Sequence, residues 1–164
     1  MRKIVLVLGV LAFGATNAQE AQAQVFLGPT VAFHDDFDFG LGATLGVKMP
    51  ALGERIGFLG DFILFFPDAD NLDYLEINAN VTYDLNAGDP TFKPFGILGL
   101  NVARASVDVD GIGDNSNTEI GLNVGAGVTF DVGKINPMVG LRLELSGGEG
   151  FVLFASLPFD VSGN

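Results

Sequence analysis

From Glu119 to Asp131 the chain alternates without a break: Ile120, Leu122, Val124, Ala126, Val128 and Phe130 are interleaved with Glu119, Gly121, Asn123, Gly125, Gly127, Thr129 and Asp131. Successive side chains of a strand point to opposite faces, so this stretch has one wholly apolar face and one small or polar face. It is also long. A strand tilted across a bilayer needs about 9–11 residues, roughly twice the length of an ordinary globular strand. A strand of this kind can meet lipid on one side and a filled interior on the other.

The first two dozen residues predict an export signal. Arg2 and Lys3 form a positive start, Ile4 to Ala12 an apolar run, and Ala21-Gln22-Ala23 a small-residue cleavage site, with Ala18 a second candidate. The apolar run is well short of the ~20 residues of a spanning helix. The expected division is a signal peptide over 1–23 and an outer-membrane barrel over 24–164. Cysteine is absent, which excludes disulfides and Cys-based metal sites.

Charge narrows the partners. The chain has 8 Lys plus Arg against 20 Asp plus Glu, and removing Arg2, Lys3 and Glu20 with the signal deepens the acidic excess. Nucleic acid is excluded as a partner, because phosphate binding needs a basic footprint.

Alternating segments recur at nearly even spacing, and the pattern predicts strands over 24–34, 38–48, 55–66, 73–85, 92–106, 118–131, 135–145 and 151–160. The second sets Phe39, Leu41, Ala43, Leu45 and Val47 against Asp38, Gly40, Gly42, Thr44, Gly46 and Lys48. The fourth and seventh alternate as cleanly. Pro29, Pro94 and Pro158 interrupt the pattern elsewhere, since proline has no N–H to give a ladder. Connections at 49–54, 86–91 and 132–134 read as compact turns, and those at 67–72 and 107–117 as longer acidic loops. Outer-membrane barrels have short periplasmic turns and longer outer loops, and a periplasmic N-terminus puts these connections on the matching sides. The fold expected is all-β, an eight-stranded antiparallel up-and-down transmembrane β-barrel.

With these strands, with Lys93-Pro94-Phe95-Gly96-Ile97-Leu98-Gly99 and with Asn123-Val124-Gly125-Ala126-Gly127-Val128, the chain resembles the small eight-stranded outer-membrane barrels of the OmpX, OmpW and OmpA-barrel type. The resemblance implies the outer membrane of a Gram-negative cell. It also implies a final aromatic residue that the insertion machinery reads. The counterpart here is Phe159, and the chain departs from the pattern by continuing through Asp160-Val161-Ser162-Gly163-Asn164.

The rival architecture is a secreted soluble lipocalin-like binding barrel, which would turn its polar faces to water. Solvated strands favour Lys, Glu and Thr there, whereas these faces carry Gly and Asn. Small residues on a concave inner wall leave volume for long side chains from opposite strands. An eight-stranded barrel is just wide enough for side chains to fill, and buried charges must pair. Arg142, Glu144, Glu76, Glu119, Arg55 and Asp61 are therefore the expected lumen network, with Arg142 its anchor.

The outer connections carry Asp35, Asp36, Asp38, Asp68, Asp70, Asp73, Asp108, Asp110, Asp114 and Glu149. Asp108, Asp110 and Asp114 are the candidate ligands of calcium or magnesium, which take hard oxygen donors; the closing Glu of an EF-hand is absent. Such ions could also bridge the loops to lipopolysaccharide. His34 is the sole histidine and reads as a solvated rim residue, and no catalytic residue or further cofactor is expected. The function expected is a structural or surface-interaction barrel in contact with outer-membrane lipid and lipopolysaccharide. The alternative, which the OmpW-like resemblance implies, is a narrow passage for small apolar solutes, favoured if Phe26, Leu59, Ile63, Phe65, Phe95 and Ile97 line the lumen continuously.

Overall fold

A computed structural model describes residues 23–68, 72–85, 88–109, 113–133, 135, 136–145 and 150–162. The expected export signal lies almost wholly outside them. The chain folds as β1 (Gln24–His34), β2 (Asp38–Lys48), β3 (Ile56–Phe66), β4 (Leu72–Asp84), β5 (Phe92–Val109), β6 (Gly113–Phe130), β7 (Met138–Glu144), β8 (Gly150–Ser156) and a short β9 (Phe159–Asp160). Each strand from β1 to β8 pairs antiparallel with the next, and β8 returns to β1, so the wall closes.

The register fixes the shape. Following partners round the wall from Gln24 leads through Lys48, Gly57, Thr82, Ile97, Gly125, Arg142 and Val152 and rejoins β1 at His34, ten residues further along. This stagger exceeds the eight of a parallel eight-stranded enzyme barrel, whose strands tilt about 36°, so these strands lean more steeply and enclose a wider lumen. All partners on that path point inward. Their chain neighbours point outward, where Leu27, Phe33, Leu41, Phe62, Leu98, Leu122, Leu141 and Leu153 remain exposed.

Two features differ from the sequence expectation. Where it is described, the acidic stretch 107–117 is strand and not loop: β5 runs into it as far as Val109 and β6 begins in it at Gly113, pairing Val107 with Asn115 and Val109 with Gly113. The outward apolar pattern of β5 stops at Val102, since Arg104 and Ser106 follow it on that face, and the backbone ladder outlasts it. The eighth strand is interrupted instead of continuous to 160. Leu157 donates its N–H to Pro29 O at 3.0 Å, but Pro29 has no N–H to return and Pro158 has none of its own. The register of β8 and β9 on β1 is nevertheless continuous.

Glycines make room inside the wall. A Cβ on Gly40 would lie 2.8 Å from both Ile63 Cγ2 and Phe65 Cδ1, and one on Gly127 would lie 2.6 Å from Phe95 Cζ. Bulk on one strand is thus matched by its absence on a neighbour, which is how a small barrel fills.

Candidate functional site

The middle of the lumen is polar, and every strand from β1 to β8 contributes to it. Arg142, from β7, reaches across to the far wall with a side chain only 1% exposed. Its Nη1 donates to both Asp61 oxygens at 3.3 Å, its Nη2 to Glu76 Oε2 at 3.0 Å and its Nε to Glu144 Oε1 at 3.2 Å. The carboxylates are themselves held. Asn78 Nδ2 donates to Asp61 at 2.8 Å and Asn101 Nδ2 to Glu144 Oε2 at 2.7 Å. Asn123 Nδ2 is shared between Asn78 Oδ1 and Asn80 Oδ1, at 2.8 and 3.0 Å. Thr30, Thr44 and Ser156 form a separate hydroxyl cluster, hydrogen-bonded to one another. Removing Arg142 would leave its three carboxylate partners buried without their cation, so this Arg142 belt acts as a unit.

Apolar side chains lie on both sides of the belt. Asp61 separates Leu59 from Ile63 along β3, with Phe26, Phe95, Ile97 and Met138 toward the turn end and Phe65 and Tyr74 toward the loop end. Phe37, from the β1–β2 turn, stacks on Tyr74 with ring centres 3.6 Å apart and covers the loop end. The six apolar residues considered for a passage therefore all point inward, but their lining is broken by the polar belt. A cavity of about 220 Å³ at the turn end is lined by Phe26, Lys48, Arg55, Leu59, Phe95 and Met138, among others.

Of the residues expected in the lumen network, Arg142, Glu144, Glu76 and Asp61 are in contact, whereas Glu119 and Arg55 stand apart. Glu119 is exposed because β6 runs on past Leu122, where β7 has already ended, and it accepts from Asn117 Nδ2 at 2.7 Å. Arg55 is exposed in the turn before β3, at the mouth of the cavity. Asp110 lies outside the described residues, and of Asp108 and Asp114 only their backbone pairing at the hairpin end is described.

His34 is not a solvated rim residue. Its ring is fully buried, edge-on to Phe37, Phe65 and Tyr74. It shares the parity of Phe26, Thr30 and Ala32, a signal that already pointed it inward. The Asn residues of the belt show the same parity in the sequence. Their partners could not be read there, because hydrogen bonds across a lumen depend on stagger.

At the turn end Lys93 Nζ, from the start of β5, binds Oδ2 of Asp131, which follows β6 outside the membrane-crossing strands, at 2.5 Å. That hydrogen bond holds the Asp131 carboxyl below the usual carboxylate range.

No protein-family model matches the sequence, and no curated protein matches it. Solved structures do. The N-terminal β-barrel domain of Pseudomonas aeruginosa OprF superposes with a TM-score of 0.64 at 12% identity, over 84% of this chain and 96% of that one. Neisserial surface protein A gives 0.63 at 21% identity, over 85% and 97%. Ail, the attachment invasion locus protein of Yersinia pestis, gives 0.54 at 15% identity, over 84% and 95%. The chain has the fold of the small eight-stranded outer-membrane β-barrels, with a lumen crossed by a charged belt.

Proposed function

We propose that the chain is an outer-membrane barrel closed to solutes, with a structural and surface-interaction role. Its apolar wall contacts lipid, and its loop-end connections face the lipopolysaccharide surface, where β5 and β6 run on past the end of β7. The outward Leu and Phe residues support the membrane setting over a soluble binding barrel, because a solvated sheet would carry polar side chains there. The observation that carries the closed reading is the contact of Arg142 with Asp61 and Glu76 on the opposite wall. A passage for apolar solutes would need the lining to continue from Leu59 to Ile63, and the belt at Asp61 lies between them. The cavity at the turn end is then a blind pocket.

The test is reconstitution of the full chain in planar bilayers, with folding checked by a change of gel mobility on boiling in detergent. The expected result is a heat-modifiable protein with no steady conductance. Stable single-channel openings would overturn the closed reading, and recovery from cells in the soluble periplasmic fraction would overturn the membrane setting.

A further inference from the structure

His34 enters the lumen from the loop end and stops above the Arg142 group. Its Nε2 has no hydrogen-bond partner among the described residues, although the ring is fully buried. It faces Glu76 Oε1, 3.9 Å away, which likewise makes no hydrogen bond of good geometry, although the Tyr74 hydroxyl leans toward the same carboxylate. One ligand atom each from His34, Glu76 and Glu144 lies within 4.8 Å of the others. Two unpartnered buried atoms facing each other are costly unless something sits between them.

Charge points to a cation. Asp61, Glu76 and Glu144 place three carboxylates around one guanidinium, so ionising all three in this buried group requires two further positive charges. A divalent cation supplies that difference, and its donors would be one imidazole and two carboxylates. This set suits zinc and its first-row neighbours; calcium and magnesium favour all-oxygen shells with more ligands. His34 Nδ1 accepts from the Asp36 N–H at 3.0 Å and lies 3.2 Å from Asp35 Oδ1. A metal on Nε2 requires the ring proton on Nδ1, so loading would exchange the Asp36 hydrogen bond for one donated by Nδ1–H to Asp35, the carboxylate–histidine arrangement that orients a metal-bound imidazole.

We propose that His34, Glu76 and Glu144 form a binding site for a zinc-class divalent cation inside the barrel, roofed by Phe37 and Tyr74 and backed by Arg142. Bonds of about 2.0–2.2 Å put tetrahedral ligands roughly 3.5 Å apart, so the three side chains close by about 1 Å on the ion. The site is separate from the acidic loops and does not depend on whether the lumen conducts.

The experiment refolds the full chain in detergent with zinc, dialyses it, and measures metal per chain by mass spectrometry, with gel mobility reporting folding separately. One zinc per wild-type chain is expected. His34→Gln and Glu76→Gln should each bind at least about tenfold more weakly, and Asp36→Asn should bind as the wild type does. Absence of bound zinc in the folded wild type would overturn the proposal, protons then being what balances the carboxylates. Zinc retained in folded His34→Gln would assign it to the acidic loops and also overturn it. Zinc lost in Asp36→Asn but kept in Glu76→Gln would place it on the exposed His34, Asp35 and Asp36 group, again against the proposal. If one lumen variant fails to fold, the other and the wild-type stoichiometry still decide.

Discussion

Arg142 is the residue on which most of the lumen depends. Replacing it with methionine keeps bulk but leaves Asp61, Glu76 and Glu144 facing one another, so Arg142→Met should cost about 3–5 kcal/mol, and less where water enters. Lys93→Met breaks a half-exposed pair with Asp131 and should cost only about 0.2–1 kcal/mol. Urea midpoints of the two variants in detergent make the comparison, and equal midpoints with matching slopes would show that no buried network hangs on Arg142. The Lys93 variant also has a pH signature. Because the folded-state pKa of Asp131 is depressed, its contribution is present above the unfolded carboxylate range and is lost as pH falls through the folded value. Stability of the wild type should therefore fall more than that of Lys93→Met on acidification below about pH 4.

At the level of the strand, the two faces of β6 make opposite demands. Val124 points to the apolar exterior, where Val124→Arg should cost about 2–4 kcal/mol at mid-bilayer depth, measured by folding titrations into lipid vesicles. A variant that folds as well as the wild type would mean the face does not meet lipid. The inward face is less tolerant than its small residues suggest, since Asn123→Ser removes the amide shared by Asn78 and Asn80. Glycine positions carry a packing constraint. A Cβ on Gly140 would come within 2.7 Å of Phe154 Cε1, so Gly140→Ala should destabilise by about 1–3 kcal/mol, and Phe154→Leu in the same chain should return part of the loss. Additive midpoints for the double variant would show that ring and glycine do not compete for space. Much of this was legible in the sequence: alternation set the strands, their order and their faces, and β1 and β2 have the bounds it predicted. Alternation could not show where β5 and β6 end, because a polar ladder looks like a loop. Nor could it join Asn101 to Glu144 or His34 to Glu76, contacts made across the lumen by strands whose relative height is set by the stagger of the closed wall.

On the scale of the whole molecule, the barrel is uneven: β5 and β6 rise well beyond β7 and β8 at the loop end. The overhang pairs with β4 as far as Val107 on one side, and on the other no described residue pairs with β6 above Leu122. It adds few contacts to the lumen, so its worth to stability should be small, and its length fits a role in reaching past the lipid surface. Replacing residues 107–115 with a two-residue Asn-Gly turn between Ser106 and Ser116, which already face each other across the ladder, gives the shortened hairpin a favoured turn. The shortened chain should keep its heat-modifiable gel mobility and lose no more than about 1 kcal/mol in urea unfolding, because the closing contacts of the wall and the Arg142 belt lie below the cut. A loss of several kcal/mol would make the hairpin part of the stabilising core, and its length would then need an explanation other than surface display.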